Sequence, residues 1–220
     1  NDKGIKGDVT LRDAFVSLNV KTLEFFKNKT LLLNDYEVIS EKSLDEIETI
    51  FTTKEKAIVS YYKEVSNFEK TKREFGLKYG IKIRSFLSKN ILEYNALENF
   101  EFYKICVLDE KYIKLIDANK LDEAILCLDY LKVECDHALR SINEYKKDIE
   151  DTSLNSTNKT LIESMKNNNS TLHMYFVQYD KMYQEIQKAK SDNTITEGEY
   201  NEKVRKFKKK KNIYFAEYNS

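Results

Sequence analysis

The chain has 220 residues, no proline and only five glycines, where average usage would supply about ten prolines. Charged residues make up 34% of it, yet its 37 basic and 37 acidic side chains cancel, so net charge exerts no pull toward nucleic acid or an anionic membrane. No apolar run approaches the roughly 18 residues of a spanning helix, and the glycines, at 4, 7, 76, 80 and 198, form no phosphate-binding spacing.

Proline interrupts helices by removing a donor and clashing with the preceding turn, so a chain without it can run long helices. Residues 1–9, with two of the glycines, read as a flexible leader. Thr10 suits a helix cap, and the spacing of Leu11, Phe15, Leu18, Thr22 and Phe26 predicts a first helix reaching Ser40. Ser43 and Glu46 form a capping box that opens a second helix from 44 to about 75, and Gly76 and Gly80 bracket its end. A third helix is predicted over 82–118, with a kink near Ser88-Lys89-Asn90, and a fourth over 121–150. Asp151 to Lys159 is polar and rich in capping residues, which predicts a loop. A fifth helix follows from about 158 to 190, interrupted at Asn167-Asn168-Asn169-Ser170, where side chains compete for backbone hydrogen bonds. Thr196 and Glu199 form a second capping box opening a final helix to about 217. The pattern predicts an all-α protein, an elongated bundle of five to six long antiparallel amphipathic helices. Its expected divisions are a leader at 1–9, the bundle at 10–190, and a C-terminal basic helix at 191–220 packed on or appended to it.

Cys106, Cys127 and Cys135 form no CxxC pair. The last two lie eight apart, about 12 Å along one helix and too far for a bridge, so all three are expected as buried thiols. Glu134 and His137 form an ExxH pair that puts a carboxylate and an imidazole on one helical face. Di-iron bundles use two such motifs. The other histidine, His173, is preceded three residues earlier by Ser170, so the second motif is missing. Glu134 and His137 therefore remain weak metal candidates, and no cofactor and no catalytic constellation is expected. Aromatics at helical spacing read as core. The adjacent pairs Tyr61-Tyr62 and Tyr175-Phe176 must point partly to different faces, which leaves room for one member of each at an interface with another helix or a partner chain, with core packing the favoured reading.

The strongest local signal is the run Lys203-Val204-Arg205-Lys206-Phe207-Lys208-Lys209-Lys210-Lys211, followed by Tyr214 and Phe215. Basic residues beside aromatics bind phosphates or anionic head groups. A solvated helix end whose lysines meet the helix dipole accounts for the same run. Residues 183–211, a helix, a polar turn, then Ile195-Thr196-Glu197-Gly198-Glu199-Tyr200 and a lysine-rich helix, resemble the short C-terminal helical hairpin often called SHOCT. That family usually carries a glycine or acidic turn before the Ile-Thr, where this chain has Ser191-Asp192-Asn193-Thr194. The resemblance implies a tail appended to varied proteins, with no enzymatic role.

The expected function is a non-enzymatic helical-bundle interaction or scaffold module. Its partners would be another protein or a second copy, with an anionic surface available to the basic run. A membrane-active, toxin-like bundle is the alternative, weakened because its nearest apolar hairpin, Ile105 to Ile116, is broken by Asp109, Glu110 and Lys111. A chain beginning at Asn1 rather than Met fits an extracytoplasmic place after removal of a leader.

Overall fold

A computed structural model of the chain describes residues 4–28, 35–83, 91–118, 120–145 and 153–218. Among the described residues there is no β-strand, only an isolated bridge between Ile5 and Asp8. Seven helices fall within them: α1 Thr10–Lys27, α2 Tyr36–Ser40, α3 Leu44–Tyr79, α4 Ile91–Asp117, α5 Leu121–Tyr145, α6 Ser153–Ser191 and α7 Glu197–Tyr218. The chain is thus all-α, with more helices than the five to six expected.

Three boundaries depart from expectation for local reasons. The first helix stops at Lys27, and α2 starts anew because the Asp35 carboxylate accepts from the N–H groups of Glu37 (3.0 Å) and Val38 (3.3 Å). Thr10 is not the cap of α1. Its own N–H (3.0 Å) and hydroxyl (2.7 Å) donate to Asp8 Oδ1, so Asp8 supplies the acceptor. The predicted loop is helical from Ser153, and α6 continues without interruption through Asn167–Ser170. The kink expected at 88–90 and the predicted helical residues 146–150 lie outside the described residues.

Both capping boxes form as read. Ser43 and Glu46 exchange side-chain and backbone bonds at the start of α3, and Thr196 and Glu199 do so at the start of α7. Gly80 ends α3 in the left-handed region (φ 65°), where its lack of a Cβ removes the usual penalty. Gly76 lies inside α3. A Cβ there would stand 2.7 Å from Ile83 Cδ1, so glycine lets the chain fold back over the helix end.

The chain divides into two compact units, one of Asn1–Val107 with Arg140–Asn158, the other of Leu108–Leu139 with Lys159–Ser220. In the first unit α1 lies antiparallel along α3. Phe15 meets Phe68 (5.9 Å), Phe25 meets Tyr61 (5.3 Å), and Asp8 reaches the far end of α3, accepting from Lys78 Nζ (2.6 Å) and Tyr79 Oη (2.9 Å). Asp8 therefore anchors the end of the segment read as a flexible leader. α3 and α4 also run antiparallel, with the Phe51 ring against those of Phe100 (6.3 Å) and Tyr103 (6.4 Å). Ile39, Ile47, Ile105, Val107 and Ile142 are fully buried in this unit. So is the Glu98 carboxylate, which accepts from the side-chain amides of Asn155 (2.9 Å) and Asn158 (3.3 Å); Asn155 also donates to the Ile142 carbonyl (3.0 Å). A buried carboxylate is tolerable only with such donors.

In the second unit, Leu108, Ile116, Ala124, Leu128, Leu131 and Ile162 form the core. Lys166 on α6 pairs with Asp136 on α5 (2.5 Å). Cys127 donates its thiol to the Leu108 carbonyl (3.4 Å). Burial pushes the Cys127 and Cys135 thiols up to about 12. Cys106, in the first unit, is only half-buried, so the expectation of buried thiols holds for Cys127 and Cys135 and not for Cys106. The end of α6 and α7 form an antiparallel hairpin. Its turn closes through Thr194 N–H to the Ala189 carbonyl (3.0 Å), with Asn193 at φ 52°.

Candidate functional site

α1 buries none of its residues, although it carries large apolar side chains on more than one side. Leu18 and Phe25 turn partly toward α3, whereas Val16, Val20, Leu23 and Phe26 are 48–61% exposed. Val16, Val20 and Leu23 are four and three residues apart, so they share one side of the helix. Sequence reasoning misses this strip because the same helix offers a second apolar stripe, Leu11-Phe15-Leu18-Thr22-Phe26, whose spacing is the more regular. In the structure Phe15 and Phe26 of that stripe are themselves exposed.

The first unit also carries a half-open cavity of 620 Å³ between α1, α3 and α4. Rings of Phe25, Tyr61, Tyr62, Phe100 and Tyr103 line it, with Lys54, Ile58 and Ala96 between them and Asn99 and Phe26 at its edge. Tyr61 and Tyr62 meet edge to face at 5.1 Å. Adjacent tyrosines on a helix cannot both enter one core, and this pair instead turns both rings onto the cavity. Lys54, 4% exposed, holds Nζ 4.5 Å from the centroid of the Tyr103 ring, a cation–π contact. Burial lowers the Lys54 ammonium to about 8. It raises the Tyr103 hydroxyl to about 12, with a smaller push from the Asp35 charge. Burial likewise raises Tyr62 and Glu93. Nothing in the charge-rich stretch Thr53-Lys54-Glu55-Lys56 marks Lys54 as buried; that follows only from the packing of α3 on α4.

The basic run lies on α7. Lys203, Arg205, Lys206, Lys208, Lys209 and Lys210 are exposed. Lys206 pairs with Glu202 one turn back (2.8 Å), and Lys203, Lys206 and Lys210 rim a shallow cleft of 290 Å³ with Met182, Glu185 and Ile186. Phe207, expected on the binding face, is instead packed away. It is 5% exposed and stacks on Tyr179 at 3.6 Å and 24°, with Tyr183 at 5.2 Å, because the apolar side of α7 closes on α6. The side chains of Lys211, Tyr214 and Phe215 lie outside the described residues.

Glu134 and His137 sit half-buried on α5, and the His173 side chain lies outside the described residues. Among the described residues no group of three or more His, Cys, Asp or Glu side chains could hold a metal ion. No described helix is long and apolar enough to cross a membrane.

The chain matches no protein-family model, no curated protein and no solved structure.

Proposed function

We propose that the protein is a non-enzymatic helical interaction module, its helices forming a bundle that presents α1 to a partner polypeptide. The observation that carries this reading is the exposed strip Val16-Val20-Leu23 with Phe26 on a helix that buries none of its own residues. An amphipathic helix normally turns its apolar residues inward, and apolar residues left together on one side are the usual mark of a contact surface. The partner is an apolar helix face, on another protein or on a second copy of this chain.

The test is co-purification from native cells with wild-type protein and with Val16→Asp/Leu23→Asp, both checked for unchanged helicity. A polypeptide held by the wild type and lost from the double variant supports the reading. Equal retention by both, or no polypeptide held by either and a monomer at all concentrations, contradicts it.

A second reading is favoured by the six exposed cations of α7, which suit an anionic surface such as lipid head groups. Under it the α6–α7 hairpin acts as the appended tail that the SHOCT resemblance implies. Co-sedimentation with vesicles containing anionic lipid, lost when Lys203, Arg205, Lys206, Lys208, Lys209 and Lys210 become Gln, supports it. Equal binding to zwitterionic vesicles counts against it.

A further inference from the structure

We propose that the cavity between α1, α3 and α4 is a binding site for a small aromatic carboxylate. This goes beyond the interaction surface above, because it engages the side of α1 that carries Phe25 and shares only Phe26, at its edge, with the exposed strip. The volume of 620 Å³ lies within the range of small-molecule sites, roughly 300–1,000 Å³. The six rings that line it, Phe26 at the edge included, come from three helices, so a flat apolar body inside would meet ring faces and edges on several sides. Helix-borne walls also hold such a site in place before the ligand arrives, which lowers the ordering cost of binding.

The charge of the ligand follows from Lys54. It is the only formally charged side chain among the described residues that line the cavity. Its ammonium is drawn over the Tyr103 ring, away from water. A carboxylate entering beside that ammonium would form a charge-assisted hydrogen bond where the burial of Lys54 reduces screening by water. The same contact would hold Lys54 protonated, against the burial that lowers it to about 8. A cationic ligand would be repelled. A phosphate dianion would bring more charge and more acceptor oxygens than one lysine can meet. The amide of Asn99, at the edge, completes a small set of polar groups around an otherwise apolar wall.

The experiment is titration calorimetry on the full chain with 2-naphthoate, its neutral analogue 2-naphthylmethanol, and decanoate. The proteins are wild type, Lys54→Met, and Ala96→Phe, which puts a ring into the cavity. The expected result is saturable one-to-one binding of 2-naphthoate to the wild type. Lys54→Met, or replacing the ligand's carboxylate by the alcohol, should weaken it about tenfold or more. Ala96→Phe should abolish it with the melting temperature held or raised. No saturable binding to the wild type overturns the proposal, as does binding to Ala96→Phe at wild-type strength. Decanoate bound more tightly than 2-naphthoate overturns the aromatic assignment. If Lys54→Met does not fold, the alcohol comparison on the wild type decides the charge. Val16→Asp/Leu23→Asp should bind 2-naphthoate as the wild type does, so failure of the cavity and failure of the α1 surface are read separately.

Discussion

Replacing Phe207 by Ala should release α7 from α6 while leaving most of the protein folded. Phe207 is almost fully buried, and its ring is stacked on Tyr179 and tilted against Tyr183. Truncating a buried Phe to Ala costs about 3–5 kcal/mol, which includes the stacking that the ring supplies. The remaining ties nearer the turn are weaker. Gln187 Nε2 donates to Tyr200 Oη (3.2 Å), Lys190 lies over the Tyr200 ring (3.9 Å), and Lys190 pairs with Glu197 at 3.5 Å near the surface. A loss of about 3 kcal/mol corresponds to more than a hundredfold increase in the opening equilibrium of the hairpin. Hydrogen exchange followed by mass spectrometry on residues 197–218 reads that equilibrium. The amides of α7 should lose about two orders of magnitude of protection, with α3 and α4 unchanged. Protection of α7 within about threefold of wild type would show that Phe207 does not hold the hairpin.

Further substitutions probe the caps, the Asp8 tether and the thiols. Ser43→Ala removes one half of the capping box of α3 and should cost about 1 kcal/mol of stability in urea denaturation. Thr196→Ala should cost a similar amount, read locally in α7 by hydrogen exchange. Lys78, Thr10 and Tyr79 hold the Asp8 carboxyl well below the usual carboxylate range. A depressed folded-state value gives stability that is present above the unfolded value and lost as pH falls through the folded one. Wild-type protein should therefore lose more stability than Asp8→Asn between about pH 5 and pH 2, and equal acid sensitivity would rule out the tether. Toward a thiol reagent at neutral pH, the half-buried Cys106 should react first, while Cys127 and Cys135 react only as fast as the second unit opens. Equal rates for all three would show that Cys127 and Cys135 are not shielded.

What the sequence made legible was local. The boxes Ser43/Glu46 and Thr196/Glu199 hold their chemistry within four residues, and the structure closes both. The end of α3 at Gly80 is legible because a left-handed residue favours glycine. Tertiary partners override local rules elsewhere. Asn155 and Asn158 look like loop residues, but Glu98 on a distant part of the chain accepts hydrogen bonds from their amides, and the segment stays helical. Asn167 to Ser170 should weaken a helix, yet α6 runs through them and Asn169 is buried. Phe207 is flanked by lysines and so reads as exposed, although the helical period turns it toward α6 while the lysines around it stay in solvent. The cavity was the least legible feature. Its ring pair Tyr61-Tyr62 was visible in the sequence, but Lys54 and Tyr103 meet only once α3 and α4 pack.

Whether the exposed side of α1 meets another polypeptide can be read by site-specific photo-crosslinking in native cells. A benzophenone side chain placed at Val20 is compared with one at Glu48, which is exposed on α3. If α1 is the contact surface, Val20 gives a discrete crosslinked polypeptide, a partner or a second copy, and Glu48 gives none. Equal yields from the two positions, or no crosslink from Val20 at any expression level, would show that α1 is not that surface.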